Sequence, residues 1–176
     1  FYLQEREPGK KYSYSSTQYD LPPYLSNMIF EWGKINIPDS VLNVEEGGRQ
    51  SEYDIHKTLL YGIHTDNEND IKPLLKLFSP FEIELGEISL FKQENFDVVK
   101  IEVQQNQKLQ LMHKFLKNNL KNSYKFDSYQ PHITIGYVYP DSCNHLIGNL
   151  QFTGLKLFID RIQFSTQDGL KTSIVL

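Results

Sequence analysis

At 176 residues, with 39% apolar and 13% aromatic side chains, the sequence is long enough to bury one sizeable core and excludes a disordered chain. A net charge of −4 argues against an electrostatic grip on long RNA or DNA, which needs many clustered Lys and Arg, while leaving room for a small nucleotide in a local pocket. No apolar run reaches membrane-spanning length and the single Cys143 excludes an internal disulfide, so a reducing, cytoplasmic compartment is the expectation.

Residues 1–11 are charged and contain Pro8-Gly9, which reads as a linker or loosely docked arm ahead of a single bilobal domain at 12–176. The chain opens on Phe1 rather than Met, as a trimmed chain, a processed product or a domain of something longer would, so the missing signal peptide excludes little. Tyr12 to Tyr19, rich in Ser, Thr and Tyr, predicts a first strand that Pro22-Pro23 ends. Leu25, Met28, Ile29 and Trp32 recur at helical spacing and predict a helix over 23–35 with Trp32 in the core. Pro38, Gly47, Gly48 and a cluster of charges make 38–53 a surface loop leading into a strand at 55–63. His64 to Asp70 is a turn and helix-cap signal, followed by Ile71, Leu74, Leu75 and Phe78 on one helical face, with Pro73 near the helix start. Phe81 to Leu85 alternates apolar with acidic residues, and with Val98 to Val103 it predicts a hairpin. Leu109, Met112, Phe115, Leu116 and Leu120 mark an amphipathic helix over 105–121, after which a polar aromatic loop at 122–130 delivers Pro131 and a strand at 132–139. An irregular piece near 141–149, a strand at 151–158 and a hairpin of Arg161 to Ser165 with Lys171 to Leu176 complete the chain. This closing order matches that of 81–103 and predicts a duplicated, two-lobed domain about a pseudo-twofold axis.

Two stretches carry chemistry, His56-Lys57-Thr58-Leu59 and His132-Ile133-Thr134-Ile135. In a strand, residues two apart share a face, so each imidazole travels with a threonine hydroxyl while Lys57 and Ile133 face the other way. Two such strands opening onto one cleft supply an acid, a base and two hydrogen-bond donors for phosphoryl oxygens. His64-Thr65 lacks the intervening residue and opens a polar turn, although His64 lies at an even offset from His56 and can reach the cleft rim. His113 reads as partly exposed packing on its helix and His145 as a loop residue. With one cysteine and no His pair at ligand spacing, neither a metal nor any other cofactor is expected.

The paired motifs, their spacing, and the strings SSTQYDLP, HKTLLYGIHTD, FDVVKIEV and YQPHITIGYV resemble the 2H phosphoesterase superfamily of LigT-like 2′-5′ RNA ligases and cyclic phosphodiesterases. They are also similar to LigT-like proteins of bacteria and phages, a group whose anti-CBASS members degrade the cyclic oligonucleotides of host defence. The resemblance implies an α+β, bilobal fold of two antiparallel sheets related by a pseudo-twofold axis, flanked by helices, with the HxT motifs in the central cleft. It implies His56 and His132 as the acid–base pair and Thr58 and Thr134 as phosphate ligands. It further implies a phosphodiesterase of bacterial or phage-infected cytoplasm acting on a small nucleotide, a cyclic oligonucleotide or short RNA ends, with a 2′-5′ RNA ligase or a nucleotide-binding module without turnover as the alternatives; a monomer with no membrane partner is expected. Lys57 departs from the apolar residue more usual there, with little effect expected unless that sheet face is fully buried. By position, Tyr14, Tyr19, Phe91 and Phe96 are the candidate base-stacking residues, and Arg161 and Lys171 the candidates to approach phosphate.

Overall fold

The computed structural model describes residues 11–176. The arm expected at 1–11 lies outside the described residues apart from Lys11. The elements are β1 (Ser15–Asp20), α1 (Pro23–Asn36), β2 (His56–Ile63), α2 (Glu68–Leu75), β3 (Phe81–Lys92), β4 (Asp97–Val103), α3 (Gln107–Asn119), β5 (His132–Val138), β6 (Lys156–Ile159), β7 (Arg161–Ser165) and β8 (Lys171–Val175). The strand order is β6-β3-β4-β5-β2-β1-β7-β8, with every neighbouring pair antiparallel. Two four-stranded halves thus mirror one another about the β5/β2 seam, and they join there through one bridge, Lys57 opposite Ile133. The two sheets expected from the sequence are the halves of one curled antiparallel sheet.

Beyond the seam β2 and β5 splay apart, and each half's loop seals the edge thus exposed. The 42–50 loop bonds β5 through Tyr137 N–H to Gly48 O, Asn43 N–H to Tyr137 O and Gln50 N–H to Ile135 O. Lys121 to Ser123 does the same for β2, with His64 N–H to Lys121 O and Ser123 N–H to Gly62 O. These loops satisfy backbone groups that the separation of the strands would otherwise leave unpaired.

The helices pack on the sheet face that carries Lys57 and Ile133. Pro22-Pro23 presets φ at the start of α1 and supplies no N–H to satisfy, so the helix begins there without a side-chain cap. Gly33 lets α1 approach β5 closely: a Cβ there would come within 3.1 Å of Ile135 Cγ2. Asn106 caps α3 by accepting from Leu109 N–H, and the buried stripe Leu109, Met112, His113 and Leu116 lies against β2. One core cluster draws Leu, Ile and Phe side chains from both halves, with Phe96, Val98 and Tyr137 forming a small satellite. Among the described residues no helix is long and apolar enough to cross a membrane.

Several boundaries differ from those read in the sequence. The first strand starts at Ser15, not Tyr12, and the 151–158 strand is confined to Lys156–Ile159 because residues 151–154 turn, with Gly154 at φ 84°. Pro73 sits in the second turn of α2, where its ring removes one helical hydrogen bond, so the helix stays short. Trp32 is half-buried, edge-on to Phe152, and His113 is buried rather than partly exposed.

Candidate active site

The bridge between Lys57 and Ile133 fixes what surrounds it. In an antiparallel pair, this register sets His56 opposite Thr134 and Thr58 opposite His132, all four on the face away from the helices. They are half-buried, whereas Lys57 and Ile133 are fully buried. Directly opposed side chains on a sheet stand about 5 Å apart and diagonal ones about 7–8 Å. The imidazoles occupy one diagonal and the threonines the other, so a tetrahedral group at the centre has an imidazole on each flank.

Both imidazoles are held alike. His56 Nδ1 lies 2.5 Å from Asp54 O and His132 Nδ1 lies 2.8 Å from Gln130 O, in each case the carbonyl two residues earlier. A carbonyl only accepts, so each Nδ1 carries a proton and each Nε2 is left to accept or donate one elsewhere. Neither threonine hydroxyl is committed to a hydrogen bond among the described residues.

The flanking strands extend this arrangement into two rows. Asp20 of β1 is opposite His56 and Gln18 opposite Thr58; Glu102 of β4 is opposite His132 and Lys100 opposite Thr134. Each histidine therefore has a carboxylate residue as its cross-strand neighbour. The halves differ at the other position, Gln18 in one and Lys100 in the other. Lys100, 2% exposed, donates to Ser89 Oγ at 2.6 Å and to Glu102, and lies 4.1 Å over the Phe91 ring. Across the seam, Lys171 Nζ stands 3.3 Å from both Asp20 and Asp54.

Burial pushes the His132 imidazole down to about 4, opposed by the Gln130 carbonyl, assisted by Lys100 and Lys57, and opposed by Glu102. His56 is lowered too, again chiefly by burial, but the Asp54 carbonyl and Asp20 pull it upward against Lys171. Burial works to raise the Glu102 carboxyl, yet its hydrogen bonds from Lys100 and Ser89 hold it below the usual range.

The candidate base and phosphate contacts divide sharply. Phe91 stands edge-on to His132, centroids 4.8 Å apart. Phe96 is buried against Tyr137 and offers no face for stacking. Tyr19 pairs with Lys57, points away from His56, and donates to Phe158 O at 3.2 Å. Tyr14 lies at the far end of the β1–β2 pair, stacked on His64. His64 in turn bonds Ser123, so neither reaches the motifs. Arg161 is exposed and paired with Asp160. His145 lies in a short 3-10 turn. Asp20, Lys100 and Glu102 were not legible, since only strand pairing reveals cross-strand neighbours; Lys171 was the one basic candidate placed beside a motif. Among the described residues, no three of His, Cys, Asp and Glu are grouped to hold a metal ion.

No curated protein matches the sequence. Escherichia coli LigT, in its apo form, shares the fold at TM-score 0.65 and 16% identity over 95% of this chain and 96% of its own. TT0787 of Thermus thermophilus does so at TM-score 0.65 and 16% identity over 93% and 94%. Usb1 of Kluyveromyces marxianus matches at 0.58 and 9% over 93% and 97%. The model of the 2′-5′ RNA ligase superfamily matches residues 51–169, a span that holds both HxT motifs and every strand except β1 and the last. The chain belongs to the 2′-5′ RNA ligase superfamily, one of the 2H phosphoesterase families.

Proposed function

We propose that the chain is a metal-independent phosphodiesterase that cleaves a small or cyclic oligonucleotide by acid–base catalysis between His56 and His132. The observation that carries this reading is the matched pair of Nδ1-to-carbonyl hydrogen bonds, which leaves the Nε2 of both imidazoles available on two strands whose register sets the histidines on one diagonal. For a 3′–5′ bond, one neutral imidazole takes the proton of the 2′-hydroxyl as its oxygen attacks phosphorus. The other, protonated, gives its proton to the departing 5′-oxygen, leaving a 2′,3′-cyclic phosphate. A 2′–5′ bond uses the 3′-hydroxyl in the same way, and a substrate that is already a cyclic phosphate uses water. Thr58 and Thr134 donate to the non-bridging oxygens, whose charge grows in the transition state.

The surroundings divide the roles. His132, beside Lys100, stays neutral and serves as base; His56, beside Asp20 and Asp54, holds the proton and serves as acid. Because burial lowers both imidazoles, the bell-shaped kcat/KM profile is centred on the acid side of neutrality rather than at it. Lys100→Met removes a positive charge next to His132 and favours its imidazolium. The acid limb of the profile therefore moves to higher pH while the alkaline limb stays, which stopped-flow or end-point rates between about pH 4 and 8 would read.

LigT structures complexed with 3′-AMP and with ATP support a nucleotide substrate in this fold. The similarity to LigT-like phage proteins supports cyclic nucleotide signals of anti-phage defence as the biological target. A second reading, processing of RNA ends bearing 2′,3′-cyclic phosphates, is favoured by the family match itself. Mass spectrometry after incubation with cyclic di- and trinucleotides, 2′-5′ oligoadenylates and 2′,3′-cyclic-phosphate RNA ends, each with and without EDTA, tests the proposal. Cleavage of at least one class that survives EDTA is expected. Ligands returned uncut throughout would make the protein a nucleotide-binding module, and loss of cleavage on chelation would overturn the mechanism.

A further inference from the structure

On the helical face of the sheet, opposite His56 and His132, a cavity of about 1110 Å³ opens between α3 and the 122–130 loop. We propose that it is a second ligand site that takes a nucleotide, with the base against Phe126 and Tyr124 and the phosphate on Lys114 and Lys117. Three observations carry this.

The first is charge. From Val103 to Phe126 the chain has five lysines and no carboxylate, in a protein whose net charge is −4. Lys114 and Lys117 line the cavity without a carboxylate partner among the described residues, and Asp127 is the one acidic residue on its wall. Such a local positive field in an acidic protein favours an anion at this place over the rest of the surface.

The second is aromatic surface. Phe126 is 54% exposed at the cavity wall, and Tyr124 stands edge-on to it, centroids 5.4 Å apart. Lys117 Nζ lies 5.0 Å over the Tyr124 ring. A flat base has a ring face to meet there, and the cavity is slightly larger than the roughly 300–1,000 Å³ of a small-molecule site.

The third is what the floor touches. His113 and Tyr129 stack in parallel, centroids 4.0 Å apart. Tyr129 donates to Thr58 O at 2.9 Å and His113 Nδ1 to Leu59 O at 2.7 Å. Lys57, buried between the two catalytic candidates of its strand, donates to Tyr129 Oη. A ligand on this floor therefore bears on the backbone of the first HxT motif from behind, and the site is placed to sense or set its position.

The probe is AMP, which holds a base and a phosphate but no diester to cleave, titrated into the ¹⁵N-labelled protein. Saturable shifts are expected in the amides of residues 110–118 and 124–129. In the Lys114→Glu/Lys117→Glu variant these shifts should need at least tenfold more AMP, and Phe126→Ala should weaken them as well, while any shifts at 132–134 persist. A tetra-adenylate titration distinguishes sources: binding tenfold tighter than AMP assigns the site to an oligonucleotide end, and equal binding assigns it to a free nucleotide. Absence of shifts in α3 at millimolar AMP, or the same affinity in the charge-reversed variant, overturns the proposal. Because the readout is binding, it stands or falls independently of whether the cleft cleaves anything.

Discussion

His56→Ala and His132→Ala each reduce turnover by about 10²–10⁴-fold, the range that a positioned proton donor or acceptor contributes, while substrate binding is retained. The loss is large because no neighbour can substitute. On the His56 side the cross-strand carboxylate, Asp20, is engaged by Lys171 and by Gln18. On the His132 side Glu102 is engaged by Lys100 and Ser89. Both histidines are only half-buried, and each is tied to the strand by a single carbonyl, so truncation leaves the fold intact. Circular dichroism and single-turnover rates on the same preparations separate loss of chemistry from loss of structure. Retention of more than about a tenth of the rate in either variant would end the paired role.

Tyr129→Phe destabilises the protein by about 1–3 kcal/mol, the cost of leaving buried polar groups without their partner. In the native chain Lys57 donates to Tyr129 Oη, which donates to Thr58 O, so deleting one oxygen strips both neighbours. For a chain of this size that lowers the melting temperature by several degrees. The double variant Lys57→Met/Tyr129→Phe recovers part of the loss, since a buried amine no longer needs a partner. Burial holds the Lys57 amine well below its ordinary value and the Tyr129 phenol well above its own. At pH values between the folded and the unfolded pKa, the unfolded chain therefore binds a proton at Lys57 that the folded chain does not. This contribution to stability is greatest above the unfolded pKa of about 10.4 and is lost as pH falls from there towards the folded pKa. Lys57→Met removes that slope, and thermal melts across the alkaline range would detect it.

What the sequence made legible was local. Strands at 55–63 and 132–139 and a helix at 23–35 were set by two-residue and three- to four-residue spacing, and β2, β5 and α1 lie within a residue of those limits. The same alternation put Lys57 on the face away from His56, and the buried-face exception anticipated for it is the arrangement found. Long-range pairing was not legible. Phe96 looked like a rim residue because it sits at a hairpin end, but the turn from Gln93 folds it back onto Tyr137. Tyr14 was a base-stacking candidate by its place on the first strand, yet the antiparallel pairing of β1 with β2 sends it to the Ile63 end, and two register shifts alter the alignment on the way. Glu102 and Lys100 were only two charged strand residues until β4 was laid beside β5.

If one imidazole takes a proton from the nucleophile while the other gives one to the leaving oxygen, the pH dependence of kcat/KM in the two single alanine variants separates them. Wild-type protein should give a bell. His132→Ala, lacking the base, should lose the acid limb and keep the alkaline one, and His56→Ala, lacking the acid, should show the reverse. A bell of unchanged shape in either variant, at whatever rate remains, would mean that His56 and His132 are not the acid and the base.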